Sequence, residues 1–130
     1  MITYVETSAV AKLVFAEPES PALKEFLDRA VEEAGNPFSS ILLETELRRA
    51  ALRHEAPQDL VTEVIGRFDL IEPDRTIYRQ AGLLAGSGVR SLDAIHVAIA
   101  LRIGTERFVT YDARQAEAAS GAGLSVAAPA

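Results

Sequence analysis

The chain has no cysteine, only two lysines (Lys12 and Lys24), and no low-complexity segment, internal repeat or linker. Without cysteine there is no disulfide, no zinc–thiolate site and no thiol nucleophile. No apolar run approaches the roughly 20 residues that a membrane-crossing helix needs. The opening MITYVETSA lacks a basic segment followed by a long apolar stretch, so no signal peptide is expected, and the cytoplasm is the expected compartment. With lysine scarce, most positive charge rests on arginine, and the net charge is −6. An acidic balance works against nonspecific nucleic-acid binding. What is present is an apolar fraction of 48% over 130 residues, enough for a buried core and expected to form one domain spanning 1–130.

Short apolar runs alternate with helical patterns along the whole chain. ITYVE (2–6) reads as a buried strand, and Thr7 or Ser8 opens a helix to about Phe15. Ser20-Pro21 starts a second helix, whose Leu23, Phe26, Leu27, Ala30 and Val31 recur at i, i+3, i+4, i+7 and i+8. Residues 37–40 suit a short strand, and Ser39 or Ser40 caps the helix ILLETELRRAALRHE. Pro57 opens a helix over 58–66, 68–71 form a strand, and Asp74 caps a helix to about Ala85. Ser91 opens an apolar helix that Gly104 ends. Residues 107–110 form a strand, a short helix follows Asp112, 124–126 form a last strand, and AAPA is a loose tail. This alternation predicts an α/β fold, a mostly parallel sheet with helices on both faces.

In such sheets ligands bind outside the carboxyl ends of the strands. Four acids fall where that edge should be: Glu6 after the first strand, Asp112 after FVTY, Asp93 in the first turn of its helix and Glu46 about one and a half turns into its own. Carboxylates gathered in one crevice repel, and an all-carboxylate site selects a hard cation, Mg²⁺ or Mn²⁺. Such a cation lowers the pKa of a bound water and neutralises a phosphate under attack, which points to phosphodiester hydrolysis without a covalent nucleophile. Thr7 or Ser8 is placed to orient a water or a phosphate oxygen, and Arg48, Arg49, Arg90 and Arg114 lie near the acids in sequence.

Each acid also has a plainer role. Asp112 with Gln115 forms a capping box, Asp93 complements a helix dipole, and Glu46 is in reach of Arg49 or Arg53 on a solvated face. Glu44 competes with Glu46 on the same helix; Leu43, Leu47 and Ala50 flank Glu46 and favour it. His96, three residues after Asp93, is expected to pack rather than to bind a metal, and His54 to be solvated.

Taken in order, an acid before T-S-A, the S-S-x-L-x-x-x-E-L helix, L-D-A-I-H-x-A and T-Y-D resemble the PIN-domain family, and within it the VapC-type toxins of bacterial toxin–antitoxin modules. The resemblance covers nearly the whole chain. It implies a PIN-like three-layer sandwich and a metal-dependent endoribonuclease using Mg²⁺ or Mn²⁺. It carries the family's acids to Glu6, Glu46, Asp93 and Asp112, with the small hydroxyl residue at Thr7. It further implies an RNA substrate, a homodimer and a cognate VapB-type antitoxin whose arginine meets the acids. One departure stands out: the family has aspartate where this chain has Glu6. Glutamate there leaves a second reading open, a PIN fold with weak or no activity that serves as an antitoxin-binding module. A receiver domain, which also gathers acids around Mg²⁺, needs a late lysine, and both lysines lie within the first 24 residues. A metal-dependent phosphodiesterase acting on DNA is a further alternative.

Overall fold

The computed structural model describes residues 1–130. Five strands, β1 (Thr3–Val5), β2 (Phe38–Ser40), β3 (Asp69–Ile71), β4 (Arg107–Val109) and β5 (Val126–Ala127), form one sheet in the order β3-β2-β1-β4-β5. Every pairing is parallel. The helices are α1 (Thr7–Val10), α2 (Ser20–Ala34), α3 (Leu42–Arg53), α4 (Gln58–Ile65), α5 (Arg75–Gly82), α6 (Ser91–Arg102) and α7 (Ala113–Gly121).

The strand period of two separates two cores. Val5 and Val109, paired across β1 and β4, face Leu23, Leu27, Leu43, Leu47 and Val61, so α1 to α4 cover that side. Tyr4 and Phe108, paired one residue earlier, face Ile77, Val97, Ile99 and Ala119, so α5 to α7 cover the other. The Tyr4 and Phe108 rings stack with centroids 5.2 Å apart. A one-residue slip would exchange the two sets, which is why the register is firmly specified. The central helix α6 buries Ala94, His96, Val97, Ala98, Ile99 and Ala100 on nearly all sides, as a helix without a polar face must. Gly104, at φ +73°, closes it: its N–H bonds Leu101 O while Thr105 N–H bonds Ala100 O, a turn that favours glycine.

The expected α/β order holds, with corrections at element ends. The helix after Glu6 is α-helical only to Val10 and tightens into a 3-10 turn over Ala11–Leu13. Helix α5 stops at Gly82, a poor helix former, rather than running to Ala85. The last strand lies at Val126–Ala127, because Thr110 N–H bonds Ala127 O. The C-terminal residues are held: the Tyr111 hydroxyl donates to Pro129 O at 2.5 Å.

Candidate active site

The carboxyl ends of β1 and β4 are adjacent, so Glu6 and the Thr110–Asp112 segment emerge side by side. Glu6 is the N-cap of α1 and is 7% exposed. Its Oε1 accepts from Ser8 N–H at 2.7 Å, and its Oε2 accepts from the Ser8 hydroxyl at 2.7 Å and the Thr110 hydroxyl at 2.6 Å. Each hydroxyl has one proton, so both donate to the carboxylate and keep lone pairs free. Ser8 Oγ then accepts from Tyr111 N–H at 2.9 Å, and Thr110 Oγ1 from Asp112 N–H at 3.1 Å. Glu6 thereby holds the backbone that carries Asp112.

Glu46 bridges the two helical layers. It projects from α3, in the first layer, toward His96 of α6, in the second. Its Oε1 lies 2.8 Å from His96 Nε2 and accepts from the Thr7 hydroxyl at 2.7 Å. Thr7 therefore orients Glu46. Burial, the largest influence on Glu46, raises its pKa, yet the hydrogen bonds from His96 and the Thr7 hydroxyl hold it below the ordinary value. Glu44 points away and pairs with Arg48, one turn on. Arg49 and Arg53 form no ion pair with Glu46.

Asp93 and Asp112 differ from these two. Asp112 caps α7 through Oδ1, which accepts from Arg114 N–H at 2.9 Å and Gln115 N–H at 3.0 Å. The capping box is only half formed: Gln115 Nε2 donates to Asp93 O at 3.3 Å instead of returning to Asp112. Gln115 is fully buried between the two helix starts, and bonding the α6 carbonyl ties α7 to α6. The Asp93 carboxyl accepts no hydrogen bond. Its pKa is raised, first by burial, then by the like charge of Asp112 and more weakly by Glu46, against the pull of Arg90.

The structure thus sets Asp93 in the field of Asp112 and Glu46 and commits Glu6 to the loop behind them. No three His, Asp or Glu side chains are gathered tightly enough to enclose a metal by themselves. The donor chemistry still fits a hard divalent cation. Glu46 Oε2, Asp112 Oδ2 and both Asp93 oxygens are free of protein donors, and the repulsion that raises Asp93 is the field a cation relieves. Beside Asp93 opens a groove of about 660 Å³ lined by Gly86, Gly88, Val89, Arg114 and Glu117. Arg48 is occupied elsewhere, donating to Gln58 and Thr62 of α4.

The PIN domain family profile matches residues 3–121. The chain belongs to the PIN domain family. Ribonuclease VapC35 of Mycobacterium tuberculosis is 42% identical over 132 residues, covering 97% of this chain and 96% of the relative. Ribonuclease VapC46 of the same organism is 36% identical over 129 residues, with the same coverage. The PIN fold recurs in VapBC2 from Rickettsia felis, solved with a DNA fragment from its promoter, at TM-score 0.77 and 14% identity over all of both chains. It recurs in M. tuberculosis VapC20, a sarcin–ricin loop cleaving toxin, at TM-score 0.71 and 15% identity over 98% of this chain and 99% of that one. PIN-domain ribonucleases generally depend on a metal. No helix of this PIN domain is long and apolar enough to cross a membrane.

Four residues of this PIN site escape a sequence reading: Tyr4, Ser8 as a cap donor, Thr110 and Gln115. Thr110 opens the T-Y-D element and Gln115 follows it by three residues, and the D-x-x-Q spacing is the one sequence signal that points at Gln115.

Proposed function

We propose that this protein is an endoribonuclease toxin of a VapBC-type module that hydrolyses RNA phosphodiester bonds with a divalent cation, Mg²⁺ or Mn²⁺. The observation that carries the reading is Asp93, a carboxyl without hydrogen-bond donors, facing the charges of Asp112 and Glu46 at the carboxyl edge of a PIN sheet. Relatives named ribonucleases over nearly the full chain support it.

In this reading Asp93, Asp112 and Glu46 offer free oxygens to the cation. Glu6 completes the acidic set through the one lone pair left on Oε1, while its bonded oxygens keep Thr110 and Asp112 in place. Thr7 holds Glu46. When bound, the cation supplies Lewis acidity toward a water and neutralises charge on the phosphate. Arg114, on the groove wall beside Asp93, and Arg90 supply positive charge toward the RNA backbone.

The acidic crevice suits a basic segment of a VapB-type antitoxin, whose arginine would meet the carboxylates through charge-assisted bonds. Tyr78, Leu83, Leu92 and Leu101 leave apolar surface on and beside α5 and α6 that suits a protein partner, including a second copy of the chain. RNA as substrate implies action in the cytoplasm.

The test is cleavage of a mixed RNA pool by the purified protein with Mg²⁺, with Mn²⁺ and with EDTA. Cutting that needs either metal and stops with EDTA is the expected result. A folded protein that cuts with neither metal would favour the antitoxin-binding module without nuclease activity.

A further inference from the structure

Two polar side chains outside the acidic set are sealed behind it. Tyr4 is 0% and His96 1% exposed, and each has a polar group that a core excludes unless it is bonded. The Tyr4 hydroxyl lies 2.6 Å from His96 Nδ1, and His96 Nε2 lies 2.8 Å from Glu46 Oε1. We propose that Tyr4 and His96 form a positioning relay for Glu46. Tyr4 holds the imidazole in one tautomer, so that Nε2–H donates to Oε1 and Oε2 is left to the crevice. What Glu46 is positioned for rests on the metal-dependent nuclease reading above.

The protons allow this assignment. A tyrosine hydroxyl keeps its proton at neutral pH and, donating to Nδ1, makes that nitrogen an acceptor. The ring proton then sits on Nε2, aimed at the carboxylate. The opposite tautomer would set the Nε2 lone pair against a carboxylate oxygen at 2.8 Å, two acceptors without a proton between them. Thr7 donates to the same Oε1 at 2.7 Å, so both donors hold one oxygen and none holds the other. Tyr4 belongs to β1 and stacks on Phe108 of β4, so the relay references Glu46 to the centre of the sheet. Removing a partner that orients a ligating side chain in this way typically costs about ten- to a hundredfold in metal affinity or activity.

Long-range proton–nitrogen NMR correlation of the metal-free protein near neutral pH reads the tautomer, with exposed His54 as internal reference. A His96 ring protonated only at Nε2 is expected. Protonation at Nδ1 only, or at both nitrogens, overturns the relay. Tyr4→Phe keeps the aromatic stack and removes one hydroxyl. It should mix the His96 tautomers, weaken Mn²⁺ binding by about tenfold and lower kcat on RNA by a similar factor, with KM within about twofold. His96→Gln, whose amide reaches near the Nε2 position, should retain more Mn²⁺ affinity than His96→Leu at equal melting temperature. Wild-type Mn²⁺ affinity in both Tyr4→Phe and His96→Leu overturns the positioning role. Wild-type protein that cuts no RNA overturns the nuclease reading alone, since the tautomer and Mn²⁺ measurements still decide the relay. Wild-type protein that binds no Mn²⁺ overturns both.

Discussion

Glu6 and Asp93 are acids at the same edge of one sheet, and the fold treats them in opposite ways. Glu6 is sealed, and three donors from α1 and the Thr110 side chain converge on it. Asp93 stands at the start of α6, half-exposed, with no donor and with the charges of Asp112 and Glu46 against it. The first acid stabilises structure that carries another acid. The second is held in a field that disfavours its charge, and such strain is characteristic of groups kept for chemistry rather than for folding. Glu46 lies between the two, with one oxygen held and the other open.

The sharpest way to break this contrast is Asp93→Asn. Its effect on cleavage is expected to be the largest, roughly a hundredfold loss or more, the scale for removing a group that meets reacting charge. The same substitution should leave the metal-free protein as stable or slightly more so. Asp93 has a folded-state pKa above the ordinary value of 3.8. Its contribution to stability is therefore fully present below that value and is lost as pH rises through the raised one, so ionised Asp93 burdens the fold at neutral pH. Thermal melts of both proteins from acid to neutral pH should show the variant gaining on the wild type as pH rises. A variant that loses stability at neutral pH would put Asp93 among the structural acids.

Glu6→Gln tests the other side. The amide brings donors to a pocket where Ser8 and Thr110 already donate, so a loss on the order of 1–3 kcal/mol is expected from denaturant unfolding. Cleavage by the folded variant should fall less than for Asp93→Asn, because Asp112 is disturbed only through the backbone and Glu6 offers the cation a single lone pair. The smallest effect belongs to Glu44→Gln, two residues before Glu46 on the same helix. The Glu44–Arg48 pair is a partly exposed i,i+4 contact, so its loss should change stability by less than about 1 kcal/mol and leave cleavage unchanged. A cleavage defect there would reverse the choice between Glu44 and Glu46.

Much of the fold was legible because it follows from local pattern. Pro21 and Gly104 mark helix ends through their backbone preferences and Asp74 and Asp112 through capping carboxylates, and these boundaries read correctly within a few residues. The miss after Glu6 has a local origin too: one short helix became α-helix and 3-10 turn, two conformations that share nearly the same sequence preferences. The position of β5 depended on which residues the β4 edge could pair, and the chain itself does not encode that locally.

The site divides the same way. Residue type and order by themselves determined the family and which acids are candidates for a carboxylate site, since these depend on which side chains exist and on which element each belongs to. Only the tertiary structure decided their division of labour. Glu6 meets Thr110 across 104 positions and Glu46 meets His96 across 50. A hydrogen bond is short-ranged and directional, so whether a carboxylate is held or free is set by neighbours brought from elsewhere in the chain. Ser8, two residues on, already caps Glu6 locally; the Thr110 hydroxyl that completes its shell, and the absence of any donor at Asp93, are decided by how the strand ends pack against α1, α3 and α6.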